Sequence, residues 1–231
     1  MPLNEKVVFL MTGGLDSSIG AELCIKKWNT IIYPLYIKRG ATAEEYEIKA
    51  LINIYNYLKR NYPENIKKPF FIEAAIPALE IKEFLDKKRI LTKGHPLRNT
   101  IMQMYGIQYG VMLNDRGLHV RSLLVGSVGS DFFPGSRKID LLLNTLTVSQ
   151  NLGEWKWQII SPFHMGLINN KRITLKRDLI NWGLENNFPF ELTRTCTRKN
   201  VIPCGECNEC KERIKTFNQE GYQDPIKYVF D

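Results

Sequence analysis

Short apolar runs alternate along this chain with longer stretches whose apolar residues recur at helical spacing. Such alternation predicts a mostly parallel sheet with helices on both faces. The run Val7-Val-Phe-Leu-Met11 reads as a first strand, apolar throughout because it is buried on both sides. A helix over 17–27 and a second strand over 30–36 follow, although Pro34 counts against that strand. The helix predicted over 44–62 places Ile48, Leu51, Ile52, Tyr55 and Leu58 at helical spacing. Next come a strand over 69–74, a short helix over 77–86, an apolar-rich helix over 98–114 and a compact strand over 122–126. A helix over 140–152, a strand over 157–161 and a helix over 171–187 complete the series. Beyond Phe190 the character changes to turns and cysteines. The expected fold is α/β: a Rossmann-like, doubly wound, mostly parallel sheet over 1–190, with a small metal-binding knob over 191–231 packed on it.

Ligands of open parallel sheets bind outside the carboxyl ends of the strands. The informative ends here are 12–16, Lys38-Arg39, 126–131 and 161–164, and the topology predicts that they converge on one face.

The first of these ends carries the strongest chemistry. In Thr12-Gly-Gly-Leu-Asp-Ser-Ser18, an apolar strand stops at two glycines and a helix pattern follows. Gly13 and Gly14 let backbone N–H groups approach an anion without obstruction by a Cβ. A helix start near Leu15 supplies unpaired donors and the positive end of the dipole. Thr12, Ser17 and Ser18 add hydroxyls, and Asp16 suits the Mg²⁺ that accompanies a nucleotide. Gly126 and Asp131 bound a second polar turn, expected to open onto the same ligand.

The cysteines are the other concentration. Cys204-Gly-Glu-Cys207-Asn-Glu-Cys210 gives two successive CxxC steps, with Cys196 upstream. Four thiolates at this spacing suit a tetrahedral, structural Zn²⁺. An iron–sulfur cluster and sulfur-transfer cysteines are the alternatives. The last ligand is expected to open a surface helix. Cys24 stands alone in the first helix pattern and reads as a core residue. His95, His119 and His164 are scattered and form no ligand or triad pattern.

Composition adds limits. With 44% hydrophobic residues in 231, the chain can bury a sizeable core without disulfides. It contains no segment of transmembrane length and begins without a signal-peptide pattern, so a cytoplasmic protein with no membrane partner is expected. The formal net charge of +8 fits an ATP cleft and solubility. The basic residues are dispersed, so a nucleic-acid partner is not required, and charge alone does not exclude one.

The string Thr-Gly-Gly-Leu-Asp-Ser resembles the SGGxDS signature of PP-loop ATP pyrophosphatases. Together with the CxxCxxC at the other end it resembles the 7-cyano-7-deazaguanine synthase (QueC) family. Intermediate landmarks agree in order: Arg98-Asn99 with the family's GRN step, and Gly126 with Ser130-Asp131-Phe132 for its G…TDF/SDY loop. Leu143-Asn144, Ser161-Pro162-Phe163 for TPL, Asn170-Lys171 for NK/SK, and Thr195-Cys196 for TC follow. The resemblance spans nearly the whole chain.

It implies that ATP adenylates the carboxylate of 7-carboxy-7-deazaguanine, with pyrophosphate held by Gly13, Gly14, Ser17 and Ser18. An amine then attacks to give an amide, and a second adenylation leaves a nitrile. Asp16, near Mg²⁺, and Arg39, Arg98 and Lys171 are the implied catalytic groups. The first of the four zinc ligands would be Cys196, and a homodimer is implied by the resemblance alone. Three departures stand out. Thr12 replaces a serine, Lys38-Arg39-Gly40 lacks the family's histidine, and Phe133-Pro-Gly-Ser-Arg137 replaces YPDCR without its acid and thiol. ATP activation is thus expected to persist, whereas the product is open between nitrile and amide. A diverged form, as in antiviral defence operons, would join the deazaguanine to a protein amine. A PP-loop tRNA thiolase and a non-catalytic ATP-binding scaffold are the competing functions.

Overall fold

The computed structural model describes residues 4–131, 133–164, 167–168 and 171–229. Strands β1 (Lys6–Leu10), β2 (Ile31–Lys38), β3 (Phe70–Glu73), β4 (Ser122–Leu124) and β5 (Gln158–Ile160) form one parallel sheet in the order β3-β2-β1-β4-β5. The chain order reverses around β1, so β1 and β4 separate at a topological switch point where a crevice opens beyond their carboxyl ends. Val7 and Phe9 face one core and Val8 the other, which is why this strand is apolar without alternation.

Helices α1 (Leu15–Trp28) and α2 (Glu44–Asn61) cover the first face. Helices α5 (Arg98–Asp115) and α6 (Lys138–Leu152) cover the second. The doubly wound α/β architecture expected from the pattern is therefore the one observed. Pro34 sits inside β2, paired in register with Phe9 of the central strand. The even-numbered residues of β2 bond on the β3 side, as Ile32 does with Asn65 and Lys67. Pro34 thus falls between the Ile32–Ile66 bridge and the first β3 pair, Leu35–Phe70, where no ladder donor is needed.

The short helix expected over 77–86 shrinks to α3 (Leu79–Lys82), and a further helix, α4 (Lys87–Lys93), follows it. Asp86 breaks them apart: its side chain accepts from Lys88 N at 2.8 Å and caps α4. The helix expected over 171–187 also needs correction. Lys171 lies in an antiparallel pair of β6 (Leu167–Ile168) with β7 (Lys171–Arg172), and helix α7 spans only Lys176–Glu185. Asp178 sets its start, accepting from Thr174 N and Leu175 N at 2.9 Å each.

Helix α8 (Asn208–Gln219) follows the cysteines. It begins before Cys210, with Cys207 at its N-cap, so the last cysteine lies in the first turn and does not open the helix. Phe217 of α8 and Phe190 pack ring to ring at 5.1 Å within the same core as α1 and α7. A buried ion pair, Arg213 Nε to Asp224 Oδ2 at 2.7 Å, adds the chain's C-terminal stretch, and Tyr228 donates to the same carboxylate at 2.6 Å. Among the described residues no helix is long and apolar enough to cross a membrane.

Candidate active site

The turn after β1 is built around Gly13, whose φ of +71° lies in the left-handed region. A Cβ on Gly13 would also strike the backbone of Ala50 and Leu51 in α2, so the turn is pressed against that helix. Gly14 is the N-cap of α1 and offers no side chain, which leaves the first N–H groups of the helix open. Gly14 N donates to Thr12 Oγ1 at 3.3 Å and Thr12 N to Ser17 Oγ at 3.4 Å. From the other side β4 runs into Gly126, where a Cβ would lie 2.8 Å from Ser17 N. Gly126 therefore lets the two strand ends close together, and it also lines the cleft.

Two buried polar atoms in this turn lack any partner: Asp16 Oδ1 and Ser18 Oγ. Asp16 lines a cleft of about 370 Å³ at the switch point, and its bare oxygen is a group that a nucleotide's cation would satisfy, whereas Ser18 lies buried beneath the turn. Thr12, Gly14, Leu15, Asp16, Ser17, Gly126 and Asp131 line the cleft, while Gly13 and Ser18 support its floor from behind.

Charge inside the cleft is arranged around Asp16. Burial pushes its carboxyl up to about 6, Lys176 draws it back, and Asp131 and Glu212 raise it further. Asp131 is raised too, by burial above all, although it accepts from Val128 N at 2.9 Å. Lys176 pairs with Glu212 at 2.6 Å. Burial works against its charge, but Asp16 and Glu212 outweigh that and hold the ammonium charged. Lys176, the first residue of α7, is a cleft residue that the sequence reading missed. The signal was present, since Thr174 and Asp178 bracket a helix start and make Lys176 its first residue. Lys171 is instead on β7, and its side chain lies outside the described residues.

At the far end of the cleft Arg98 opens α5. Its Nε donates to Asn99 Oδ1 at 3.2 Å, and among the described residues no carboxylate pairs with it. Burial, then the charge of Arg39, lowers its pKa. Asn99 Nδ2 donates to Pro134 O at 3.0 Å and to Ser136 Oγ at 2.8 Å. Gln103 donates to Gly135 O at 2.7 Å and accepts from Asn144 at 2.6 Å. The 133–137 segment is thereby moored to α5, and Gly135 and Ser136 face the cleft. Phe132 of the expected landmark lies outside the described residues.

Two expected strand ends do not line the cleft. Arg39 is locked in a two-pronged pair with Glu47, at 2.9 and 3.0 Å, and only Glu47 reaches the lining. Lys38 pairs at the surface with Glu73. Ser161 donates to Ser127 O at 2.5 Å, which braces the 126–131 turn from behind, and His164 borders a separate apolar cavity beside β5.

The four cysteines of the C-terminal segment gather as their spacing predicted. Their Sγ atoms lie within 4.8 Å of one another, with Cys196 and Cys204 at 3.6 Å. A single ion with metal–sulfur bonds of about 2.3 Å sets tetrahedral edges near 3.8 Å, so the donor set fits one metal ion. Burial raises the Cys204 thiol, but the N–H groups of Cys207 and Glu206 overcome it and bring the thiol down to about 7. Cys24 is buried in the main core, as expected.

Comparison with known proteins agrees with these features. A family model described as "Queuosine biosynthesis protein QueC" matches residues 6–221. A 7-cyano-7-deazaguanine synthase of Thermoplasma volcanium is 25% identical, over 97% of this chain and 91% of that protein. A 7-cyano-7-deazaguanine synthase of Rickettsia africae is 28% identical, over 98% of this chain and 100% of that protein. A looser likeness, with a TM-score of 0.43 at 14% identity, covers 95% of this chain and 67% of the U34-tRNA thiolase NcsA from Methanococcus maripaludis with its 4Fe-4S cluster. A glycine turn at the switch point, a four-thiol cluster that reaches the same cleft through Cys196 and a family match across almost the entire sequence make this chain a member of the QueC family.

Proposed function

We propose that this enzyme uses ATP and Mg²⁺ to adenylate the carboxylate of a 7-deazaguanine, releasing pyrophosphate, and passes the acyl group to an amine. The observation that carries this reading is Asp16 Oδ1, a buried atom without a partner among the described residues, on the cleft side of a helix-opening glycine turn. Gly14 and Ser17 hold the phosphates on a turn that Gly13 and Ser18 shape from behind, and Asp16 with Asp131 holds the cation. Lys176 stands beside them to neutralise the departing pyrophosphate. Arg98, at the other end and without a carboxylate partner, receives the substrate carboxylate. Lys171 and Arg39 have smaller parts: Arg39 holds Glu47 at the rim rather than charge in the reaction.

The cysteine cluster holds Zn²⁺ as a structural ion, and 191–231 forms the knob it staples. Sulfur–sulfur distances under 4.8 Å favour one ion over a four-iron cube, which needs more room between its thiolates. With four thiols so committed and Cys24 in the core, the thiolase reading finds no free sulfur carrier. The lost acid and thiol of the 133–137 segment leave Gly135 and Ser136 at the substrate end, so the product is an amide or a nitrile, with ammonia or a protein amine as acceptor. The test incubates the protein with Mg-ATP, 7-carboxy-7-deazaguanine and ammonia and assays AMP, pyrophosphate and product mass. A nitrile assigns the relatives' reaction; an amide or adenylate alone assigns a diverged ligase. No AMP with any carboxylate would reject the reading.

A further inference from the structure

One residue belongs to both the glycine turn and the cysteine loop. Arg194 N donates to Gly13 O at 2.9 Å, which holds the left-handed residue of the turn in place. Its guanidinium donates to three carbonyls: Arg198 at 3.0 Å, Asn200 at 2.6 Å and Val201 at 3.3 Å. All three acceptors lie between Cys196 and Cys204, in the loop that a metal ion would draw closed. The same guanidinium stacks 4.5 Å from the ring of Tyr46 in α2, the helix against which Gly13 is pressed. Arg194 is 8% exposed, and its Nε has no partner.

We infer that Arg194 is a positioning residue that couples metal occupancy of the cysteine cluster to the shape of the nucleotide turn. This rests on reading 12–18 as the nucleotide turn and the cysteines as a metal site. With the thiols drawn onto one ion, the three carbonyls are fixed and the guanidinium is satisfied. When the loop loosens, a buried cation loses acceptors, a costly state that is relieved by moving the residue and its hold on Gly13. Metal then tightens nucleotide binding, and by linkage nucleotide tightens metal binding by the same factor. A residue that only stabilised the fold would not connect the two ligands.

The test uses calorimetric titration of a non-hydrolysable ATP analogue with Mg²⁺ into wild type and Arg194→Lys. Each is measured zinc-loaded and after chelation, with circular dichroism to verify the fold. Chelation should weaken nucleotide binding by wild type about tenfold, and added zinc should restore it. In Arg194→Lys the loaded protein should bind more weakly, and chelation should change little further. An unchanged Kd after chelation, or equal losses in both proteins, overturns the coupling. Failure of wild type to bind either ligand rejects the underlying reading and the coupling with it. Should the variant or the stripped protein unfold, the reverse measurement decides on wild type: the nucleotide analogue must raise zinc affinity in competition with a chelator. Unchanged zinc affinity would be fatal to the proposal.

Discussion

The glycine turn after β1 and the Arg213–Asp224 pair near the C-terminus both bury polar groups, in opposite condition. In the turn, Asp16 Oδ1 and Ser18 Oγ have no partners, and Asp16 resists ionisation up to about 6. Arg213 and Asp224 are 2% and 8% exposed, yet every arm of the pair is used: on each other, on Thr193 and Phe190 O, and on Tyr228. Desolvation costs are met internally at this pair and left open at Asp16 and Ser18. The paired region holds the molecule together, and the unpaired one waits for something to bind. That difference is worth more than the presence of charge alone, since surface pairs such as Lys38–Glu73 say little about either task.

The sharpest way to break the contrast is at the buried pair. Asp224→Ala strands a buried guanidinium and should cost about 3–5 kcal/mol of stability, read from urea unfolding. A loss near zero would mean that Arg213 is solvated. At the turn the opposite outcome is expected. Asp16→Asn should cut pyrophosphate release about a hundredfold to a thousandfold while raising Tm at pH 7. A lowered Tm would show that the carboxylate is already satisfied. Gly126→Ala, with its Cβ forced onto Ser17 N, should cost about 1–3 kcal/mol and slow turnover about tenfold, because α1 must retreat from β4. A further effect is in pH dependence. Because Asp16 keeps its proton in the folded chain up to about 6 and its ordinary value is 3.8, the folded state binds more protons across that interval. Its contribution to stability is full below that ordinary value and is lost as pH rises through about 6. Comparing the stability of wild type and Asp16→Asn from pH 3.5 to 7 isolates that slope, and parallel curves would remove it.

Much of this was legible in order and type of residue. The parallel sheet, the glycine turn and the four cysteines follow from local signals: unbroken apolar runs, glycines at a strand end, CxxC spacing. Pro34 counted against a strand that forms all the same, because its missing N–H matters only if a neighbour faces it, and the gap before β3 is a tertiary fact. Lys171 was named and Lys176 was not, because an apolar pattern does not show that 171–172 turn back on 167–168. Arg39 looked free in the sequence, while Glu47, eight places on, binds it with both oxygens.

The sequence by itself determined what each segment can be: which runs must be buried, where backbone donors are bare, and which side chains suit phosphate or metal. Only the tertiary structure decided which groups meet. Lys176 enters the field of Asp16, Gly126 is closed on Ser17, and Arg194 spans the turn and the cysteine loop through contacts between residues far apart in the chain. The physical reason is that propensity and spacing act over a few residues. Charge pairing, steric closure and desolvation are instead set by whichever surfaces packing brings together.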